Sequence, residues 1–185
     1  TDLRTLNIGG GFPVAYTADE QYPEPSEFAA ALAPVLDRWQ VKLEPGRSII
    51  ADAGVLLASV LYVKQQGGAR FVIVDASMTE LIRPALYEAV HPIAPLHAAE
   101  AIGPAVVAGP VCESADILHR GAPLPELAPG DRLAILVAGA YGMVMASNYN
   151  QRPRPPEVLV EGDAWRVVRR RETWDDLMRL EDPSG

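Results

Sequence analysis

Apolar and polar positions follow two rhythms along the chain. Residues 3–8 (LRTLNI) form an apolar-rich run that stops at Gly9, which predicts a short buried strand. Residues 12–25 are rich in proline, tyrosine and acid and read as a loop. Ser26 can cap a helix, because Phe28, Leu32, Val35, Leu36 and Trp39 follow on one face at helical spacing. Residues 41–44 (VKLE) read as another strand, closed by Pro45 and Gly46. Strand, helix, strand is a βαβ unit and implies parallel pairing.

After residue 53 the texture changes. VLLASVLYVKQ (55–65) and RFVIVDAS (70–77), joined at Gly67-Gly68, suit paired strands, although 53–65 also fits a helix. TELIRPALYEAV reads as one helical turn broken at Pro84. AEAIGPAVVAGPVCES and DRLAILVAGAYGMVMASNY read as further strands. EVLVEG and AWRVVRR read as a hairpin turning at Gly162-Asp163. Thr173 with Asp176 forms the capping box of a final helix. The expected fold class is α/β plus β: a parallel unit over 1–53, then a mostly antiparallel β domain over 54–185. One βαβ unit does not make a stable parallel layer by itself, so residues 1–53 are expected to be the tail of a longer α/β domain.

Composition narrows the classes. The 185 residues allow one ordinary domain or two small ones, and 49% hydrophobic residues support a core. No apolar run reaches the ~20 residues of a membrane span. The first residues lack the basic and apolar regions of a signal peptide, so a cytoplasmic protein is expected. The formal charge of −8 argues against general nucleic-acid binding. Arg169, Arg170 and Arg171 form one basic run, read as a solvated strand end. A single cysteine, Cys112, excludes an intrachain disulfide and a multi-cysteine zinc site. His91, His97 and His119 lack metal-ligand spacing, so no metal site is expected.

Candidate chemistry gathers at the predicted strand ends. Gly9, Gly10 and Gly11 follow the first parallel strand, where consecutive backbone N–H groups can close around a phosphate; a tight structural turn fits equally. The triplet is neither a Walker loop nor a GxGxxG fingerprint. EPGR follows the second parallel strand, and its Pro45-Gly46 turn aims Glu44 and Arg47 toward the glycines. Glu44 can hold a protonated ring nitrogen and Arg47 a phosphate or carboxylate, or the two can form a surface ion pair. GPVCES sets Cys112 beside Glu113, Ser114 and Asp116, polar company that suits proton transfer better than a core thiol. Arg83 and Tyr87, four apart, are a candidate carboxylate clamp. Tyr141 lies among small residues that would let a ligand approach, or is a half-buried strand aromatic.

In order, GGGFP, EPGR, FVIVDAxM, RPALYxAxH, GPVCES and AGAYGMVMASNYNQRPRPPEVLV resemble the diaminopimelate decarboxylases. These belong to the pyridoxal-phosphate-dependent, alanine racemase-like group, with the ornithine and arginine decarboxylases. The resemblance implies the C-terminal remnant of a cofactor-binding (β/α)8 barrel over 1–53, then the β domain. It implies conversion of meso-diaminopimelate to L-lysine and CO2. Gly9, Gly10, Gly11 and Gly46 would match the cofactor-phosphate region. Glu44 would match the pyridinium-nitrogen partner. Arg47 would lie near phosphate and substrate, and Tyr141 near both. Arg83, Tyr87 and Glu113 would match residues that bind the distal end of the substrate, and Cys112 the proton donor. In that family the Cys-Glu loop reaches the neighbouring subunit's site, which implies a homodimer.

The chain departs from the pattern in two places. Ser77 stands where the family commonly has glycine. No lysine stands in the family's Schiff-base motif, since the two lysines are Lys42, just before EPGR, and Lys64, in a β-domain strand. The expectation is a C-terminal part of a decarboxylase, inactive alone. Two other readings are a decarboxylase of ornithine, arginine or carboxynorspermidine, and a non-catalytic dimerising module.

Overall fold

The structure, a computed structural model, describes residues 3–181. The parallel unit forms: β1 (Thr5–Asn7), α1 (Pro25–Leu36) and β2 (Gln40–Lys42), with Leu6 opposite Val41. The helix starts earlier than expected. Glu24, not Ser26, is the N-cap, and Glu27 accepts its backbone N–H in a reciprocal capping box. Pro25 fixes that start, having no N–H to leave unsatisfied. The expected burial is not found. Leu6 is half-buried between exposed neighbours, and no residue of α1 is buried. One helix covers one face of a two-stranded pair, so Phe28, Leu32, Leu36, Ile8 and Val41 line an open apolar groove of about 360 Å³.

The core belongs to a six-stranded sheet: β3 (Leu56–Gln66), β4 (Ala69–Val74), β5 (Ile93–Pro95), β6 (Gly103–Ala108), β7 (Ile117–Leu124) and β8 (Arg132–Ile135). The spatial order is β5-β8-β3-β4-β6-β7. Every neighbour pair is antiparallel except β4 with β6. β5 also touches β7, so the sheet nearly closes into a barrel. Alternate positions point inward, which places Ala58, Val60, Val72, Val74, Leu133 and Ile135 in the core.

Two local expectations are corrected. Pro84 does not break the turn that contains it. It stands in the first turn of α3 (Arg83–Tyr87), where a missing N–H costs nothing, and the helix ends at Glu88 in the left-handed conformation. The run AGAYGMVMASNY does not continue β8. It is a loop with 3-10 turns at Met143–Met145 and Tyr149–Gln151, and Tyr141 sits at φ 62°, outside any strand.

The hairpin of β9 (Glu157–Glu161) and β10 (Ala164–Arg169) forms as expected, as does α4 (Trp174–Met178) behind its Thr173–Asp176 box. The basic run is a solvated strand end in which Arg169 pairs with Glu157 and Arg170 with Asp176. Among the described residues no helix is long and apolar enough to cross a membrane.

Candidate active site

The glycine loop and EPGR meet at one end of the parallel pair. The Gly9 N–H donates to Asn7 Oδ1 (2.8 Å), Asn7 Nδ2 donates to Glu44 Oε1 (2.6 Å), and the Glu44 N–H donates to the Gly9 carbonyl (2.8 Å). A Cβ at residue 10 would lie 2.5 Å from the Glu44 carbonyl oxygen, so only glycine lets the segments approach this closely. Gly9 and Gly11 take φ of 73° and 90°, which turns successive peptides as an N–H cradle requires. Glu44 Oε2 has no hydrogen-bond partner among the described residues and remains able to accept one.

α2 (Gly46–Ile50) begins inside EPGR and docks on the loop that carries Tyr141. The Gly139 N–H donates to the Ala51 carbonyl (2.9 Å), and the Ala138 N–H to the Gly54 carbonyl (2.8 Å). A Cβ on Gly139 would overlap the Ile50 carbonyl oxygen. This small residue therefore admits the main chain of α2, where the sequence had suggested that it admits a ligand. The docking leaves the Arg47 guanidinium carbon 5.5 Å from the Tyr141 ring centre. From the sheet domain, the Arg83 guanidinium carbon comes within 6.0 Å of the same ring.

Arg83 is buried, with 5% of its surface exposed. Its Nη1 donates to the Tyr16 hydroxyl (2.8 Å) and to His91 Nε2 (2.9 Å). His91 Nδ1 lies 3.0 Å from the Leu136 carbonyl oxygen. A carbonyl only accepts, so Nδ1 carries the proton and Nε2 is the acceptor for Arg83. Burial, and then the Arg83 charge, hold the His91 pKa below its ordinary value against the opposing bond to Leu136. Among the described residues neither Arg47 nor Arg83 has an ion-pair partner. Two uncompensated guanidinium groups beside one aromatic ring suit anionic groups of a ligand.

Sequence reasoning missed Tyr16, which sits in an irregular loop with nothing periodic to mark it. His91 entered only as the last position of the RPALYxAxH motif and as a histidine without metal-ligand spacing, with no link to Arg83. Among the described residues no group of three His, Cys, Asp or Glu side chains could hold a metal.

Cys112 and Glu113 lie in the β6–β7 connection, away from this cluster in hydrogen bonding. Cys112 is a free, exposed thiol. Glu113 accepts from the Tyr149 hydroxyl (3.2 Å) and the Ala115 N–H (3.2 Å), and among the described residues it has no bond to Arg47, Arg83 or Tyr141. Asp116 is not exposed company for the thiol. It is buried and accepts N–H bonds from Met78 (2.7 Å) and Val111 (2.9 Å), tying this connection to the segment between β4 and α3. Burial pushes its carboxyl above the ordinary value, while the two N–H groups pull the other way. Tyr87, at the end of α3, is exposed and has no hydrogen-bond partner among the described residues. Lys64 lies over the Phe71 ring at 5.5 Å, committed to the outside of β3 and β4.

The family model described as "Pyridoxal-dependent decarboxylase, C-terminal sheet domain" matches residues 15–139. The chain belongs to this family. Among curated relatives, it is 42% identical over 180 residues to the diaminopimelate decarboxylase of Aquifex aeolicus, covering 96% of this chain and 43% of the relative. It is 44% identical over 185 residues to that of Helicobacter pylori, covering 98% and 45%. The chain thus spans about half the length of the curated relatives it matches. The Helicobacter pylori enzyme crystallised with L-lysine superposes with a TM-score of 0.92 at 45% identity, over 100% of this chain and 46% of that one. A lysine/ornithine decarboxylase from Vibrio vulnificus, complexed with cadaverine, superposes less closely, at 0.72 and 32% identity over 82% and 42%.

Proposed function

We propose that this chain is part of a pyridoxal-phosphate-dependent carboxy-lyase that converts meso-diaminopimelate to L-lysine and CO2. One observation carries the reading: Arg47 and Arg83 converge on Tyr141 with no carboxylate of the described chain to neutralise them. The substrate brings the missing anions, since it has a second amino-acid head group beyond the one that loses CO2. The closer match to diaminopimelate decarboxylases than to the lysine/ornithine enzyme favours this substrate over ornithine.

The residues present fit the cofactor. The N–H groups of the Gly9–Gly11 loop, with Gly46 and Tyr141 nearby in the fold, suit its phosphate. The free oxygen of Glu44, whose other oxygen is fixed by Asn7, suits a protonated ring nitrogen. When bound, pyridoxal phosphate supplies the electron sink for decarboxylation. The chain's own residues orient and protonate. Arg83 holds the distal carboxylate, with Tyr87 at the pocket edge, and Arg47 guards the phosphate side. Glu113 takes the distal ammonium, and the Cys112 thiol delivers a proton to the carbon that lost CO2. Cys112 and Glu113 make no bond to the arginine cluster of their own chain, which favours their use in the site of a second copy in a homodimer.

The barrel assignment of residues 1–53, their division from 54–185 and a cytoplasmic setting belong to the same reading. So does inactivity of these 185 residues alone, since Lys64 is spent on Phe71 and Lys42 lies outside the family's lysine motif.

The test is substrate discrimination by the full-length enzyme. Arg83→Ala is expected to lower kcat/KM for meso-diaminopimelate on the order of 100-fold, by loss of a bidentate carboxylate contact, while the slow reaction of ornithine stays within about threefold. Faster wild-type turnover of ornithine or arginine, or equal losses for both substrates, contradicts the reading.

A further inference from the structure

We propose that His91 is a positioning residue for substrate recognition: it fixes the rotation of the Arg83 guanidinium so that its unpaired edge faces the substrate's distal carboxylate. The inference rests on the function proposed above and adds a residue to it.

His91 is fully buried in the segment that follows α3. Its ring is held from both sides. The Leu136 carbonyl fixes the proton on Nδ1, which leaves Nε2 as a lone acceptor aimed at Arg83 Nη1, 2.9 Å away. The Tyr16 ring meets the imidazole edge to face, at 5.2 Å and 84°, and the Tyr16 hydroxyl accepts from the same Nη1. Tyr16 is itself tethered through its N–H to Glu20 (2.6 Å).

Two neutral acceptors therefore grip one nitrogen of the guanidinium. A planar fork held at one nitrogen has its orientation set, and neither acceptor cancels its charge. A carboxylate in the place of His91 would pin Arg83 as firmly but would neutralise it and compete with the substrate. A neutral imidazole holds the arginine and leaves it cationic. The tautomer matters for the same reason. With the proton on Nε2, two donors would face each other and the fork would turn away.

Two variants in the full-length enzyme separate this role from simple core packing. His91→Gln can place a carbonyl oxygen near the position of Nε2 and keep the acceptor for Arg83. His91→Asn keeps a donor toward Leu136 and loses that acceptor. Both remove a buried ring and are expected to lower thermal stability alike. KM for meso-diaminopimelate is expected to rise on the order of tenfold in the Asn variant, with kcat per folded site within about twofold, and to stay near wild type in the Gln variant.

Tyr16→Phe removes the other acceptor from a half-buried ring and is expected to raise KM in the same direction, which provides a reading should both His91 variants fail to fold. Equal KM values in the Asn and Gln variants, or an unchanged KM in Tyr16→Phe where that variant alone is folded, overturn the inference. A wild-type enzyme that does not decarboxylate meso-diaminopimelate overturns the proposed function instead, so the two failures are distinguishable.

Discussion

At the scale of single residues, the site depends on places where a side chain is missing. Gly10 lets the glycine loop touch the Glu44 carbonyl, and Gly139 lets the Tyr141 loop touch α2. The second contact determines where Arg47 stands, because α2 starts one residue before it. Gly139→Ala is expected to push α2 off the loop at a cost of about 1–3 kcal/mol, the range for overpacking a close contact. Urea unfolding of the full-length enzyme checks it; a loss below a few tenths of a kcal/mol would show that the contact yields freely. Such roles were only partly legible. The glycines were visible as a motif, but what each one touches lies far away in sequence, as Ile50 and Gly139 do. Asp116 illustrates the opposite error. The sequence grouped it with Glu113 and Ser114 as polar company for Cys112 suited to proton transfer, whereas its carboxylate turns inward to meet two N–H groups.

At the scale of elements, local rules succeeded where the chain solves its problem locally. The β9–β10 hairpin follows from its two-residue turn, and α4 from its capping box. They failed where the partner is distant. β7 (ILHRGAPL) was not anticipated, since its polar middle and Pro123 hide the alternation that buries Leu118, Ala122 and Leu124. The run after β8 is apolar enough for a strand, yet the left-handed backbone at Tyr141 and the docking of α2 bend it into a loop.

One element joint has a titration signature. Glu172 accepts from the backbone N–H and Nε of Arg154, both at 2.8 Å, and from Asn148 Nδ2 at 2.7 Å, tying the Pro-rich segment to the end of the hairpin. These bonds, that of the Arg154 side chain foremost, lower its pKa from 4.5 to about 2. A carboxyl with a depressed folded pKa stabilises the fold fully above its unfolded value. That contribution is lost as pH falls from about 4.5 toward about 2. Carbon NMR titration is expected to find Glu172 ionised through pH 3, and Glu172→Gln to remove the corresponding part of the acid dependence of unfolding. Titration near 4.5 would mean that the joint is open in solution.

At the scale of the whole molecule, the candidate site residues fall in two groups that no hydrogen bond joins among the described residues. The arginine pair and the glycine loop sit where the parallel unit docks on the sheet, while Cys112 and Glu113 project from the β6–β7 connection. The family resemblance made both groups legible as motifs and already implied that the Cys-Glu loop serves a neighbouring subunit; what the sequence could not show is that the loop carries no bond to the arginine pair of its own chain. The homodimer proposed above combines the two groups between copies to make one decarboxylase site. It is tested most directly by mixing two inactive full-length variants, Arg83→Ala and Cys112→Ala, under conditions of subunit exchange. Half of the dimers would then be hybrids, each with one site free of both substitutions, so activity on meso-diaminopimelate is predicted to recover to about a quarter of wild type. Exchange that produces hybrid dimers with no recovery would contradict the account, because both residues would then belong to the same chain's site.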